Sequence, residues 1–186
     1  MKKTFTLLLT ILFLQSCALG GDGEQIVSVE DRYTLAVPSF LSKANDLNND
    51  ASLQYMNGIR EFYVVVIDEP KDGLQQLLDE NDLSSIYNND IDSYADISLN
   101  ILSNSINSPV QGEVMDTLIN SMPARLTTLK GEIDGIDVFY YIGAYEGIKN
   151  YYQVLSWTLA SRESTHKQRM NKVLCSLKET HPRKKY

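Results

Sequence analysis

The pattern of hydrophobic and polar positions is clearest in residues 137–159, where two runs of aromatic and β-branched side chains flank the short segment 146–150. Such runs on either side of a turn-sized segment predict a β-hairpin. Alternate strand side chains point to opposite faces, and neither face here is plainly polar. The two faces of the first arm carry Val138, Tyr140, Ile142 and Ala144, and Phe139, Tyr141 and Tyr145. The second arm carries Tyr151, Leu155, Trp157 and Leu159 on one side and Tyr152 and Val154 on the other. Both faces of this sheet therefore need cover, which we expect helices to supply.

Further strands precede this hairpin. Residues 32–37 alternate between polar and apolar side chains, which predicts an opening strand. Residues 52–56 and 61–68 flank Asn57-Gly58, a dipeptide that favours the two-residue type I′ turn. The sequence therefore predicts a second hairpin, with that turn at its tip.

Apolar residues at helical spacing predict three helices, over residues 71–80, 90–107 and 161–179. Asp90 or Asp92 is placed to cap the second helix, and Ser161 with Ser164 offers caps for the third. A weaker alternation in residues 110–132 predicts two more strands. The expected fold is α/β (α+β), with an antiparallel sheet of about six strands sandwiched between helices.

Size and charge narrow the function classes. A chain of 186 residues is long enough for one hydrophobic core, so one domain is expected. Its formal charge is -7, and removal of a leader that contains Lys2 and Lys3 leaves 15 basic against 24 acidic residues, or -9. This balance argues against a nucleic-acid surface. The two cysteines, Cys17 and Cys175, exclude a disulfide framework.

The N-terminus has the pattern of a secretory signal peptide. Two lysines are followed by an apolar run over residues 5–14. This run is about half of the ~20 residues that a membrane-spanning helix needs, so we expect it to be removed.

The end of this leader resembles the lipobox of bacterial lipoproteins, with Leu14, Ser16 and the acceptor Cys17, although Gln15 departs from the usual residue. The resemblance implies that Cys17 receives a diacylglycerol thioether and anchors the protein to a membrane. The alternative is a plain secreted protein in which Cys17 has no such role.

The chain therefore divides into four predicted parts. These are a signal peptide (1–16), a flexible tether with the lipidated cysteine (17–26), one folded domain (27–180) and a basic tail (181–186).

Motifs for common chemistry are absent from the sequence, which contains no G-x-S-x-G, P-loop, G-x-G-x-x-G or H-E-x-x-H. Asp68 and Glu69 are the best candidates for a catalytic carboxylate pair, although they first indicate an ordinary strand exit. We predict no metal site and no cofactor. His166 with Met170 and Cys175 has too few ligands for a soft metal, and Asp90, Asp92 and Asp96 lack the glycine and terminal glutamate of a calcium loop.

Three further groups of side chains have a structural interpretation that we prefer to a functional one. Cys175 lies beside Leu174 on the apolar side of the third helix, so we predict a buried core thiol. The tyrosines of the central hairpin would suit a stacking platform for a sugar or peptide ring, but packing across strands and under helices is the better prediction; they are Tyr140, Tyr141, Tyr145, Tyr151 and Tyr152. The tail residues Arg183, Lys184 and Lys185 would suit lipid headgroups, although a frayed, inert terminus is the preferred interpretation.

Four segments in one order resemble the PsbP-like fold: YTLAVP, SLQYMN with EFYVVVIDEP, a helical middle, and YYQVLSWTLASRES before the last helix. That group includes the photosystem II extrinsic subunit and small envelope lipoproteins such as the DcrB-like proteins. Over residues 27–180 the resemblance implies an α/β/α arrangement and a role in assembly or interaction, with no catalytic residue.

The sequence therefore predicts a membrane-anchored envelope lipoprotein, outside the cytoplasm, that acts as a non-catalytic binding or assembly factor. One expected partner is the membrane, through Cys17. The other is an envelope component such as a protein, and the sequence does not choose between a protein, a glycan and a lipid. The alternative is an envelope hydrolase with a carboxylate site built from scattered residues.

Overall fold

The computed structural model describes residues 23–180, which form eleven β-strands and three α-helices. The strands are β1 (Glu24–Val29), β2 (Tyr33–Pro38), β3 (Ser42–Lys43), β4 (Leu53–Asn57), β5 (Phe62–Pro70), β6 (Asn107–Gln111), β7 (Met115–Ile119), β8 (Met122–Ile133), β9 (Ile136–Glu146), β10 (Asn150–Leu159) and β11 (Lys178–Glu179). The helices are α1 (Lys71–Glu80), α2 (Ile91–Asn104) and α3 (Glu163–Cys175).

The predicted central hairpin is confirmed as β9 and β10, which pair antiparallel from Tyr151 opposite Glu146 to Leu159 opposite Val138. It lies in the middle of an eight-stranded sheet of order β3-β4-β5-β10-β9-β8-β6, in which β7 also pairs with β8. The mixed α/β class and the antiparallel sheet are as predicted, but the sheet has more than six strands.

Both faces of the hairpin are covered, as the double-sided hydrophobic pattern predicted. On one face, Tyr152 and Val154 pack in a core with side chains of β2 and α3. On the other, Tyr151 packs with Leu74 of α1 and Tyr94 of α2. The layer that covers the Tyr152 face is only partly helical, because it also contains a second, three-stranded sheet formed by β1, β2 and β11.

The segment predicted as two strands, residues 110–132, contains parts of three. The extra strand arises because β6 and β7 pair one after the other with the long strand β8. Eight of the ten residues in these two short strands are exposed, so they lack the apolar alternation that marks a half-buried strand. A tight turn joins β7 to β8, with positive φ at Asn120 (49°) and Ser121 (70°).

The hairpin of β4 and β5 is confirmed, but the predicted type I′ turn at Asn57-Gly58 is wrong. Asn57 pairs with Phe62, so the connection has four residues, and its positive φ falls at Glu61 (55°). The Asn57 side chain organises this turn instead. Its Oδ1 accepts a hydrogen bond from the Arg60 N–H at 2.9 Å, and its Nδ2 donates to the Phe40 carbonyl at 2.8 Å.

The first two helices lie where helical spacing predicted them. Helix α1 has the predicted bounds, and α2 stops at Asn104, three residues before the predicted end. Asp90 is the N-cap of α2, and its Oδ1 accepts a hydrogen bond from the Ser93 N–H at 2.8 Å.

The third helix is shorter than predicted. A 3₁₀ turn (Ala160–Arg162) precedes α3, which ends at Cys175 rather than near residue 179. Within the described part of the chain no side chain caps the start of this helix. The chain leaves the helix because the Ser176 hydroxyl bonds to β2, accepting from the Ala36 N–H at 2.9 Å. Two residues later, β11 pairs with that same strand.

The prediction that Cys175 is a buried core thiol is wrong. Its side chain is exposed, whereas the preceding Leu174 is fully buried. Adjacent positions on a helix differ by about 100° in direction, so the apolar face that contains Leu174 does not extend to Cys175.

Two further predictions concern the ends of the chain. Strand β1 begins at Glu24, within the stretch predicted as tether and ahead of the predicted domain start at Val27. The signal peptide, Cys17 and the basic tail 181–186 lie outside the described residues. Among residues 23–180, no helix is both long and apolar enough to cross a membrane.

Candidate functional site

The predicted carboxylate pair lies at the end of β5, where the two side chains diverge. Asp68 and Glu69 are consecutive strand residues and therefore point to opposite faces of the sheet. Glu69 lies opposite Tyr151, whose ring packs under α1 and α2, and Asp68 lies opposite Tyr152, which belongs to the core beneath β2. The structure therefore does not bring these two carboxylates together.

Asp68 is held in a buried ion pair. Its side chain is 4% exposed, and Oδ2 accepts a hydrogen bond from the Arg32 guanidinium, which extends from the turn between β1 and β2. Burial of a carboxylate requires such a partner, because an isolated charge loses its hydration. This pairing makes Asp68 a structural carboxylate and accounts for its position inside the molecule.

Three buried polar atoms around this pair have no hydrogen-bond partner within residues 23–180: Arg32 Nε, Asp68 Oδ1 and Thr180 Oγ1. Buried polar atoms are usually satisfied by protein or by ordered water. Arg32 and Thr180 also line a cavity of about 330 Å³. Its other lining residues come from the β1–β2 turn, the β9–β10 turn, the start of β10 and β11, and include Glu30, Asp31, Ile148, Lys149, Tyr152 and Glu179.

Glu179 joins β11 to the β9–β10 turn. Its carboxylate accepts hydrogen bonds from the Ile148 N–H at 3.0 and 3.1 Å and from the Tyr152 hydroxyl at 3.0 Å. A second cavity, of about 440 Å³, lies beside the same turn and is lined in part by Ile148 and Glu179. Ile148 is 65% exposed between the two cavities. We call this surface, formed by residues 30–32, 147–149 and 179–180, the Ile148 end.

The Ile148 end rests on two packed tyrosines. Tyr33 and Tyr152 pack edge to face, with 5.4 Å between ring centroids, and the Tyr33 hydroxyl lies 2.6 Å from Ser52 Oγ. Burial raises the pKa of both tyrosines. Their hydroxyl groups therefore remain protonated at neutral pH and act as hydrogen-bonding groups rather than as bases.

Sequence reasoning did not identify Arg32, Glu179 or Thr180 as members of a site. Arg32 lies in a polar turn, and the other two follow the last helix. They come together only because β11 pairs with β2 and places Thr180 beside Arg32, where the Thr180 N–H donates to the Arg32 carbonyl at 2.8 Å. No local sequence pattern predicts a strand of only two residues.

Burial raises the pKa of the Glu69 carboxyl, and the negative charges of Asp50 and Asp68 raise it further. A raised pKa is one property of a general acid. Glu69 lines neither cavity of the Ile148 end.

His166 has a structural environment. Its Nε2 lies 2.9 Å from the Arg60 carbonyl oxygen, and its ring packs edge to face on Phe62 at 5.0 Å between centroids. Burial lowers the pKa of this imidazole, which is therefore neutral at pH 7. No group of three or more His, Cys, Asp or Glu side chains among residues 23–180 is arranged to hold a metal ion.

The three aspartates that were compared with a calcium-binding loop have separate structural roles. Asp90 caps α2, whereas Asp92 and Asp96 lie 3.3 and 3.8 Å from the guanidinium of Arg125. Arg125 also donates to Asp116 at 2.8 Å and lowers the pKa of that carboxylate. These charges form a cluster around one arginine on the surface.

Four of the five hairpin tyrosines pack inside the protein, as the packing interpretation predicted, and Tyr141 is partly buried. Tyr145, Tyr151 and Tyr152 are almost fully buried, and Tyr140 is 7% exposed. The ring of Tyr140 stacks on Trp157, and Trp157 stacks on Tyr63, with centroid distances of 5.6 and 5.1 Å. Because neighbouring rings cover one another, this row does not present a flat surface to a sugar.

The sequence matches no protein-family model and no curated protein. Solved structures are similar to it. The cyanobacterial PsbP protein CyanoP of Synechocystis sp. PCC 6803 superposes with a TM-score of 0.59 and 12% identity, over 89% of this chain and 98% of that protein. A protein of Bacteroides thetaiotaomicron VPI-5482 gives a TM-score of 0.54 and 12% identity, over 89% of this chain and 52% of its own.

LpqN, described as involved in cell envelope biogenesis of Mycobacterium tuberculosis, gives a TM-score of 0.53 and 10% identity, over 86% of this chain and 91% of LpqN. These similarities show that the chain has the PsbP-like fold, which confirms the fold predicted from the sequence motifs. At such low identity they carry no information about individual site residues.

Proposed function

We propose that this protein is a lipid-anchored component of the bacterial envelope that binds a partner without catalysing a reaction, and that the Ile148 end is its binding surface. The proposal rests mainly on the burial and ion pairing of Asp68, a candidate catalytic carboxylate. Asp68 is buried and neutralised by Arg32, while cavities of about 330 and 440 Å³ open on either side of an exposed isoleucine close by.

The envelope location is supported by the leader, by the lipobox resemblance around Cys17 and by the fold. The chain shares the PsbP-like fold with LpqN, a protein described as involved in cell envelope biogenesis. In the proposed arrangement, acyl chains on Cys17 hold the folded domain at a membrane surface outside the cytoplasm.

The Ile148 end has the mixed chemistry of a protein-binding surface. An exposed apolar side chain lies between recesses that contain both charged and hydrogen-bonding groups, which suits a hydrophobic anchor with a polar rim. The turn that carries Ile148 is fixed by Glu179, so little conformational freedom would be lost when a partner binds.

The anchor is tested by mass spectrometry of the membrane fraction. We expect an N-terminal peptide that begins at a diacylglyceryl-modified Cys17, and a Cys17→Ala variant that is released from the membrane. Wild-type protein found free in the medium with an unmodified cysteine would contradict the anchor.

The binding surface is tested by crosslinking in native membranes with two matched variants. Ile148→Asp should abolish capture of a specific partner, whereas Ile59→Asp should not. Ile59 is a good control because it is 92% exposed in the turn between β4 and β5, at the opposite end of the sheet. Equal capture by both variants would exclude the Ile148 end. Turnover of a glycan or ester substrate that Glu69→Gln abolishes would favour a hydrolase.

A further inference from the structure

The β7 edge of the large sheet is open to another strand. Within the described residues β7 pairs with β8 alone, so its outer side has no strand partner. Its side chains are largely exposed, including Met115 (50%) and Leu118 (71%). Unpaired edges with exposed apolar side chains are templates for pairing with another chain.

The other edges of this sheet are protected. Strand β3 has only two exposed residues and includes Lys43. Strand β6 contains Pro109, a positive φ at Ser108 (51°) and a register shift between Asn107 and Val110. Short length, lysine, proline and bulges are the usual devices that block edge pairing. In β7 there is no proline, lysine or register shift.

The register of β7 on β8 shows which backbone groups face outward. The two-residue turn at Asn120-Ser121 is flanked by Ile119 and Met122, which makes that pair a hydrogen-bonded one. Hydrogen-bonded and non-hydrogen-bonded pairs then alternate along the ladder. Accordingly Leu118 falls opposite Pro123, which has no N–H to share. The backbone groups of Asp116 and Leu118 therefore point away from β8.

We propose that β7 pairs antiparallel with β7 of a second copy of this chain, about a two-fold axis at Thr117. In this register Asp116 of each copy lies opposite Leu118 of the other, so the outward backbone groups of both residues form hydrogen-bonded pairs. Thr117 lies opposite itself at the close, non-hydrogen-bonded position, and Thr–Thr pairs across strands are favourable. Met115 lies opposite Ile119, which pairs one apolar side chain with another.

Charge repulsion does not oppose the pairing of two β7 strands. The carboxylate of Asp116 is bonded to Arg125 on the neighbouring strand, so the interface contains no unpaired acidic side chain from β7. A strand of five residues that is complementary to itself fits an isologous interface, in which each surface patch contacts its own copy.

The symmetry also suits a protein attached to a membrane. A two-fold axis between antiparallel strands is perpendicular to the sheet, so both copies present the layer of β1, β2 and β11 on the same side. Strand β1 begins at Glu24 in that layer. Glu24 of both copies therefore lies on the same side of the paired sheets, although the pairing itself does not depend on the proposed anchor.

The pairing is tested by disulfide crosslinking of the full-length chain. Cys175 is exposed, so it is first replaced in a Cys175→Ser parent, and Thr117→Cys is then added. A pair at the non-hydrogen-bonded position has Cα atoms about 4.5 Å apart, within the range for a disulfide. Mild oxidation should give a covalent dimer with at least about tenfold the yield of a Val110→Cys control on β6.

The parent without an added cysteine measures any dimer formed through Cys17, so failure of the proposed lipid anchor would be visible separately. Val110 is 65% exposed on the protected edge and would lie far from its symmetry mate. Equal crosslinking of Thr117→Cys and Val110→Cys, or none in either, would overturn the proposal.

A pair of charge variants tests the register. Leu118→Asp places a carboxylate opposite Asp116 of the second copy, whereas Leu118→Lys places an ammonium there. Like charges directly opposite each other are destabilising and opposite charges are favourable. We expect Leu118→Asp to reduce the Thr117→Cys crosslink at least about tenfold and Leu118→Lys to retain it, with circular dichroism confirming both folds. Equal loss in the two variants would contradict this register.

Discussion

At the scale of single residues, Arg32 and Asp68 form the most consequential contact. The carboxylate is 4% exposed and the guanidinium 36%, so the pair joins the turn after β1 to the end of β5. Removing one member of a buried pair leaves the other charge buried without compensation, whereas replacing both by apolar residues is often neutral.

We therefore expect Arg32→Met to lower the free energy of unfolding by about 3 kcal/mol, the low end of the range for buried pairs because Arg32 is partly exposed. The double variant Arg32→Met/Asp68→Leu should recover most of this loss. Urea denaturation measures both. As a control, Lys167→Gln removes an exposed partner of Glu163 and should change stability by less than about 1 kcal/mol. A double variant as unstable as the single one would contradict the assignment.

The environment of His166 should make the stability of the fold depend on pH. Its pKa in the folded state is lowered from the ordinary value of 6.5, chiefly by burial. Its Nδ1 is buried and has no hydrogen-bond partner among residues 23–180, so the proton of the imidazolium would find no acceptor there. The unfolded chain therefore binds this proton more readily, and stability is lost as pH falls below about 6.5. His166→Gln should flatten this part of the stability profile; an unchanged slope would exclude His166 as its cause.

Cys175 shows what sequence reasoning can and cannot predict for one residue. Helical periodicity correctly placed Leu174 in the core, but the edge of an apolar face depends on where neighbouring elements stop. Asp68 is similar, since its position at the end of a strand was visible in the sequence. Its guanidinium partner, thirty-six residues away, was not visible.

At the scale of elements, one side chain fastens α3 to the large sheet. The Tyr145 hydroxyl, on β9, donates a hydrogen bond to the carbonyl of Leu174 at 2.8 Å in the last turn of the helix. Its ring lies over Gly143, where an added Cβ would be 2.7 Å from the ring carbon Cζ. The absence of a side chain at Gly143 is therefore what allows the tyrosine to reach the helix.

Tyr145→Phe removes this bond and leaves a buried carbonyl unsatisfied, so we expect a loss of about 1–2 kcal/mol in the free energy of unfolding. Tyr141→Phe is the matched control, because Tyr141 lies on the same face of β9 and is only partly buried. Chemical denaturation of the two variants is compared directly. If both substitutions have the same effect, the bond to Leu174 does not fasten the helix.

The sequence predicted buried strands and helices more accurately than exposed ones. The strands β5, β9 and β10 and the helix α1 have strong apolar patterns, and the sequence located them well. The exposed strands β6 and β7 and the two-residue strands β3 and β11 lack such patterns, since they are defined by hydrogen bonds to a neighbouring strand. A strand of this kind exists only in its tertiary context.

At the scale of the whole molecule, β10 connects the hydrophobic packing on the two faces of the large sheet. Alternate residues of this strand belong to opposite faces, with Val154 in one core and Leu155 in the other. The Ile148 end was not predictable at this scale, because it combines three turns and strand ends that are distant in sequence.

We expect the molecule to unfold as one cooperative unit. Trp157 is the only tryptophan of the chain and stacks between Tyr63 and Tyr140 in the middle of the large sheet. Its fluorescence should therefore change together with far-ultraviolet circular dichroism during urea denaturation, as in a two-state transition. A fluorescence midpoint clearly separated from the dichroism midpoint would show that the layers unfold independently.

The three-stranded sheet also determines how the protein responds to tension on its N-terminus. Strand β1 pairs with β2 from Glu24 opposite Pro38 to Val29 opposite Tyr33. A pull on the chain ahead of Glu24 loads these pairs one after another, starting from the end farthest from the turn, as in unzipping. The eight-stranded sheet does not include β1 and lies outside this load path. We therefore expect β1 to peel away from β2 while the eight-stranded sheet keeps its shape.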